Sequence, residues 1–430
     1  MHVRRFVPAL LPILVAVAAP AEGFAAPPAD LAALRREAMA AHPELAAAEA
    51  RLEAARRRPA QSVALPDPVL SVAYQNDGVS SFTLGDTEFS WLALTWEQEV
   101  PRSEGREHAA AAAEAGVTAA GRELDRIRLA IGAEVTDAYA DLYRIDRSLI
   151  ALDEIRTTLA ALADSTRARY EVGQGIQENV LKATTAVLRL EAERARFEAE
   201  RQGAAATLNA ATGRPAGAPI GTALALPEGS LPARGEALAD AAVEAAPALA
   251  RLVAEIAGAE AREAQARSDL KPEWSWTASY QYRGSIDPMI MGGIGLRLPV
   301  HRGSRQALAL EEAAADATAA RHDRTAAERR TRADTLFLEA RVTRADTLIA
   351  LYRDGVIPQA QGALESAQAA YTVGRLPFID LLSDLRIVLE ARLELAAEES
   401  ARAKALAALE PLLARPILLT DEGGPDATAR

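Results

Sequence analysis

Between Glu273 and Arg283 every second residue is apolar: Trp274, Trp276, Ala278, Tyr280 and Tyr282 alternate with Glu273, Ser275, Thr277, Ser279, Gln281 and Arg283. A period of two puts the rings on one face of a strand and the polar groups on the other. Gly284 to Pro288 reads as a turn. Beyond it, Ile290, Gly292, Ile294, Leu296 and Leu298 alternate with Met289, Met291, Gly293, Gly295 and Arg297 until Pro299 stops the strand. The first half repeats the arrangement with Val69–Asn76 and Phe89–Val100, joined by the polar loop Asp77–Thr87. The pattern thus predicts two hairpins, at about 69–100 and 273–299. All four tryptophans lie in them. Strands of roughly 8–11 residues are long enough to cross a bilayer when tilted, and aromatics near strand ends fit the interfacial girdles of membrane barrels. Trp91, Trp96, Trp274, Trp276, Tyr280 and Tyr282 are therefore candidate membrane-facing aromatics. A soluble sandwich or edge hairpin would alternate in the same way. Two hairpins at corresponding positions of a Trp-poor helical chain favour the membrane. Four strands cannot close a barrel, whose smallest natural form has about eight, and open edges are not tolerated in hydrocarbon. Several chains must each contribute four.

Outside the hairpins the period changes to three and four. No proline occurs from Ser103 to Arg169, where Ile127, Ile131, Val135, Tyr139, Leu142, Ile145 and Leu149 recur at helical spacing. Such a helix spans about 100 Å. A return helix is expected from Gln177 to Asn209. In the second half, helices are expected over Ser304–Tyr352 and Gln359–Tyr371, with a break near Gly355–Pro358, and then from Pro377 to Leu413. A shorter helix, Leu31–Arg58, is interrupted at Pro43 and ended by Pro66 and Pro68. Helices this long suit coiled-coil-like packing in a rod or tube. The Gly/Pro/Ala-rich stretch Thr212–Pro232 reads as a linker, and residues 416–430 as a disordered tail.

The two halves are versions of one pattern. Tyr170-Glu-Val172-Gly173 followed by Val180-Leu181 returns 201 residues later as Tyr371-Thr-Val373-Gly374 followed by Leu381-Leu382. Pro43 and Pro68 return at Pro247 and Pro272, and Pro101…Gly105 at Pro299…Gly303. The chain therefore divides into a first repeat over 26–215, with helices at about 103–209, and a second over 216–415, with helices at about 304–413.

Composition narrows the function. Arg4 and Arg5, the apolar run Phe6–Ala19 and Gly23-Phe24-Ala25 form a secretory signal over residues 1–25. Removing it shifts the formal charge from −12 to −13, and an acidic protein has no electrostatic reason to bind nucleic acid. There are no cysteines. His2, His42, His108, His301 and His322 are scattered without metal-ligand spacing, and no Gly-rich phosphate loop follows a strand. No catalytic residue, metal site or cofactor is nominated, which disfavours an enzyme. Met289 and Met291 have the softness of metal contacts, but a packing role is the expectation.

Tyr371-Thr-Val-Gly374-Arg375-Leu-Pro-Phe-Ile-Asp380-Leu-Leu382 resembles the helix-turn segment of the outer membrane efflux (TolC) family. His42-Pro43-Glu-Leu45, Pro66-Asp67-Pro68, Leu298-Pro299…Gly303 and Leu208-Asn209-Ala-Ala-Thr-Gly213 are similar to other family segments, in the expected order. The resemblance implies a mainly α fold with a membrane β-barrel portion: a homotrimer with one 12-stranded barrel, an α-helical tunnel across the periplasm, and a belt made from Thr212–Pro232 and the residues after Pro411. It implies a passive duct in the outer membrane that contacts outer-membrane lipid and works with a periplasmic adaptor (membrane fusion) protein and an inner-membrane pump. Val172, Gly173, Val373, Gly374 and Arg375 match the tips that adaptors contact. Asp380 matches an acidic ring at the periplasmic gate. A second family acid falls on Ser383, with Asp384 adjacent. Tyr371 is expected to pack or hydrogen-bond near the closed tip, and Asn179 stands in the first half where Asp380 stands in the second. Asp380 would otherwise be a helix N-terminal charge complementing the macrodipole. The entry Pro66-Asp67-Pro68-Val69-Leu70 and Met289-Ile-Met291 resemble heavy-metal efflux members, so metal cations stand beside drugs as cargo. The reading from another class is a periplasmic coiled-coil adaptor or scaffold that never enters a membrane, and the alternating Trp/Tyr strands are what separate the two.

Overall fold

A computed structural model describes residues 28–419. The expected signal peptide and the end of the expected tail, 420–430, lie outside that range. Asp30 caps α1 (Leu31–Ala41), its carboxylate accepting from the Ala32 and Ala33 amides at 3.1 and 3.3 Å. Pro43 opens α2 (Pro43–Val63), a position where its missing N–H costs nothing. The chain then runs β1 (Val69–Gln75), β2 (Trp91–Val100), α3 (Ser103–Glu171), α4 (Gln177–Ala211) and β3 (Glu228–Gly229). It continues with α5 (Glu236–Ala245), α6 (Pro247–Ser268), β4 (Glu273–Arg283), β5 (Ile286–Arg297) and α7 (Gln306–Ala350). A π-helical segment (Leu351–Val356), α8 (Ile357–Thr372), α9 (Phe378–Leu413) and β6 (Leu418–Leu419) complete it.

The strands form one antiparallel sheet in the order β1-β2-β4-β5. The register sets Leu94 against Val72 and Tyr280, and Trp276 against Gln98 and Ile294. One face therefore carries Leu70, Val72, Leu92, Leu94, Trp96, Trp274, Trp276, Tyr280, Ile290, Ile294 and Leu296. All of these are exposed. The other face carries Ser71, Ala93, Thr95, Ser275, Thr277 and Ser279, and is the more enclosed, with Ala93 and Ser279 buried and Thr95 Oγ1 3.0 Å from Ser279 Oγ. This inverts the arrangement of a water-soluble sheet, which hides its apolar side.

The β4–β5 turn is tighter than the sequence suggests: Ile286, Asp287 and Pro288 already belong to β5. Pro288 is tolerated because β5 is an edge strand. The first hairpin's loop folds onto this turn, where a Cβ on Gly85 would fall 2.5 Å from Gly284 Cα, so both positions require glycine. At the other end of the sheet, α3 packs against α2, α4, α6 and α9. At 69 residues it extends for about 100 Å.

Two buried carboxylates fasten the irregular segments that follow the long helices. Asp146 on α3 accepts from Arg201 Nε at 2.5 Å and from the Ala223 amide at 2.8 Å. Glu410 on α9, fully buried, accepts from Arg35 at 2.6 Å and from the amides of Ile417 and Leu418 at 3.0 and 3.2 Å. Residues 416–419 are accordingly not a disordered tail. Leu418 is buried, and Leu418–Leu419 pair with Glu228–Gly229 of the linker. Beside the linker, the Tyr139 hydroxyl lies 3.0 Å from the carbonyls of both Ala29 and Ala225, and burial pushes its pKa up to about 12.

The expected break near Gly355–Pro358 is also absent. Pro358 has no N–H for the Asp354 carbonyl, and its ring would crowd that turn. The helix widens to π geometry immediately before it, with the Ile357 N–H donating five residues back to Tyr352, and runs on as α8.

Candidate gate and docking tips

Both descending helices end at one pole of the molecule in the same hydrogen-bonded motif. At the first tip, the Gly173 amide donates to the Tyr170 carbonyl (3.0 Å) and Gln174 to Arg169 (2.8 Å). At the second, Gly374 donates to Tyr371 (3.0 Å) and Arg375 to Ala370 (2.9 Å). This paired reversal of bonds needs a left-handed residue, and the two glycines supply φ of +72° and +76°. Nothing lies within 4 Å of a Cβ placed on either glycine, so handedness alone demands them. Val172, Val373 and Arg375 are exposed, which leaves an apolar, solvent-facing knob at each tip.

The two tips differ in what holds them. Tyr170 is 44% exposed, whereas Tyr371, at the equivalent position, is 7% exposed. The Tyr371 hydroxyl shares a 3.1 Å hydrogen bond with Thr166 of α3, and its ring packs at 5.7 Å on that of buried Phe378. Arg169 of α3 donates to the last carbonyls of α8, Tyr371 at 3.2 Å and Thr372 at 2.7 Å, with its guanidinium carbon 4.8 Å from the Tyr371 ring centroid. A cation against the C-terminal carbonyls of a helix complements its dipole. Thr166 and Arg169 escape a reading for periodicity. The visible signal is divergence between the halves, since Ala367 and Ala370 occupy the matching places in the second.

Asp380 lies in the first turn of α9 and Asp384 one turn on, which puts them on one face. Asp380 is exposed and Asp384 half-buried, and neither has an ion-pair partner among the described residues. The opposite face of α9 is fixed by buried Phe378, Leu381, Leu385, Val388 and Leu389. Beside these carboxylates, an open groove of about 900 Å³ runs between α4 and α9 over α3, with Leu159, Leu181, Leu190, Ile379 and Leu382 in its lining. On its rim the Lys182 ammonium, 2.5 Å from Glu178, holds that carboxyl below its usual range.

At the opposite pole, Trp96 stacks on Trp276 with ring centroids 6.4 Å apart, on the exposed apolar face with Trp274, Tyr280 and Tyr282. Trp91 departs from the expected set. Its register partner is Gln75, and it stands on the polar face with Ala93 and Thr95, because residues five apart on a regular strand face opposite ways and Trp91 cannot share a face with Trp96. Met289 and Met291 are exposed and stand on that same polar face opposite Gln281 and Ser279, so they do not pack into a core. Among the described residues no group of His, Asp and Glu side chains is arranged to hold a metal ion, and no helix is long and apolar enough to cross a membrane.

Residues 34–214 match the family model of the outer membrane efflux protein. That stretch of the chain is similar to the outer membrane efflux protein family. The match covers the first half, α1 to the start of the linker. Three solved structures extend the likeness to most of the chain. VceC of Vibrio cholerae has a TM-score of 0.76 at 20% identity, over 90% of this chain and 96% of that one. The MtrE outer membrane channel of Neisseria gonorrhoeae, in its open state, has a TM-score of 0.76 at 18% identity, over 90% and 89%. CusC has 0.75 at 15%, over 89% and 92%. At these identities the likeness establishes the fold of an efflux-family channel. No curated protein sequence matches.

Proposed function

We propose that this protein is the outer-membrane exit duct of a tripartite efflux or export system, passive and extending into the periplasm. The observation that carries this reading is the sheet: its aromatic and aliphatic face is exposed, its polar face is the more enclosed of the two, and both edge strands are open. Three copies give twelve strands, enough to close a barrel of the membrane kind. The halves, related by the 201-residue offset, act as copies of one unit, each adding a hairpin and a long helix pair. The polar face, with Trp91, Met289 and Met291, then lines the lumen, while the belt of β3, β6 and α5 girdles the tunnel.

Asp380 is the gate residue in this reading. Its exposed carboxylate, repeated by symmetry at a constriction, favours cations, and Asp384 adds a second ring one turn up. Tyr371 holds the gate's own tip in place. The knobs at Val172-Gly173 and Val373-Gly374-Arg375 serve as contacts for a periplasmic adaptor, which links the duct to an inner-membrane pump. The cargo expected is metal cations or drugs. A periplasmic adaptor that never inserts has no use for an exposed Trp/Tyr face.

Fractionation tests the duct: the protein is expected in detergent-extracted outer membrane, and recovery in the soluble periplasmic fraction would sink the reading. In planar bilayers the purified protein should form cation-selective channels whose selectivity falls in Asp380→Ala. Susceptibility of a deletion strain to copper, zinc, cobalt and drugs then separates the cargo classes.

A further inference from the structure

The π-helical segment Leu351–Val356 is a flaw in one long helix that the other long helix lacks. We infer that it is the flexure about which α8 and the second tip move relative to the rest of the molecule, an inference that rests on the gate reading above. Three independent observations converge on it.

The first is local. Pro358 withdraws a donor, Gly355 is a weak helix former, and the backbone answers with an i to i−5 bond at Ile357 and a shared bond from the Leu351 amide to Thr347 and Leu348. Sharp departures from straight helix arise at such places. At the positions 201 residues earlier stand Glu154 and Thr157, inside the unbroken α3.

The second is packing. No residue of the π segment is buried. Above it, Val342 and Leu338 belong to the core that holds α5 and the end of α9. Below it, Ala360, Leu364, Ala367 and Tyr371 belong to the core around the tip. The segment is the seam between two cores. In α3 the corresponding stretch is buried through Ala151, Leu152, Ile155 and Leu159.

The third is a tether across the seam. Glu399 of α9 accepts from Arg353 of the π segment and from the Tyr143 hydroxyl of α3, each at 2.6 Å. The neighbouring buried residues of α9 are small (Ala396, Ser400, Ala403), so a change of angle meets little interlocking. Polar fixation at a seam without large side chains allows bending while keeping the helices in register.

A π turn accommodates one extra residue, so its removal leaves both flanks facing as before. The test is amide hydrogen exchange on the full chain in detergent micelles. Peptides covering 347–358 should exchange at least about tenfold faster than those covering 146–157, as segments with few buried contacts open locally. Deleting Gly355 together with Pro358→Ala should remove that contrast and lower the frequency of channel openings. Gly355→Ala, whose Cβ meets only Leu351 Cδ1 at 3.9 Å, should slow exchange by about fivefold without disturbing the fold. Equal exchange in the two helices of the unaltered protein overturns the flexure, whatever the conductance shows. Conductance and selectivity unmoved by Asp380→Ala would instead remove the gate reading and leave the exchange contrast standing as a measured flexure.

Discussion

The two tips share a backbone and differ in their attachments. Each ends in the same reversal, with glycine at φ of +72° or +76° and the same pattern of returning bonds. Yet Tyr170 reaches into solvent, while Tyr371 is buried under the guanidinium of Arg169 and bonded to Thr166. The first tip supports itself; the second is held by side chains from the helix that leads to the first. A motif can thus be repeated while its mechanical role is set by a few side chains around it. Thr166 and Arg169 have Ala367 and Ala370 as their counterparts in the second half, and the clamp acts in one direction.

Four experiments press on that difference. Tyr371→Ala should have the largest effect, about 3–5 kcal/mol by analogy with other buried aromatics, seen as loss of exchange protection in α8 and the start of α9. Tyr170→Ala should stay within about 0.5 kcal/mol, as at most surface sites; equal losses would erase the distinction between the tips. Asp380→Asn should lower the cation preference of the channel by about tenfold, since facing charges at a few ångströms in partly screened surroundings are worth a kcal/mol or more. Asn179→Asp should leave reversal potentials nearly unchanged, and a matching shift from it would put both tips at the constriction. Arg169→Ala removes a helix-end cation and a cation–π contact, each worth about 0.5–1 kcal/mol. It should raise mean open time in single-channel records, which Arg169→Lys should restore only in part because lysine cannot fork across two carbonyls. Gly173→Ala and Gly374→Ala should cost about 1–2 kcal/mol each, the usual penalty of a left-handed L-residue. Thermal melts of the two variants should coincide, because neither site has neighbours to differ by.

Much of this architecture is legible in the residues alone. Period-two alternation at Trp274–Tyr282 marks a strand, and the proline-free run after Ser103 marks a long helix, because both are local facts of geometry. The repeated Tyr-x-Val-Gly marks both tips. What escapes depends on partners far along the chain. The order of residues 416–419 is fixed by Glu410 and the linker strand. Gly355 and Pro358 announce a disturbance, but whether the helix breaks or bulges depends on what packs around it. The clamp of Arg169 on Tyr371 and Thr372 joins residues about two hundred positions apart, beyond the reach of any periodicity.

The open sheet has a consequence for how the molecule comes into being. A lone chain in water would display unsatisfied backbone on β1 and β5 together with an apolar wall, the combination that templates misassociation. In the proposed trimer its helices bury their own seams and can form early, whereas the strands have no acceptable resting state until neighbours and lipid arrive together. Biogenesis is then constrained to a short, escorted interval, and a cell that overproduces the chain should meet its hairpins first as a proteostasis burden.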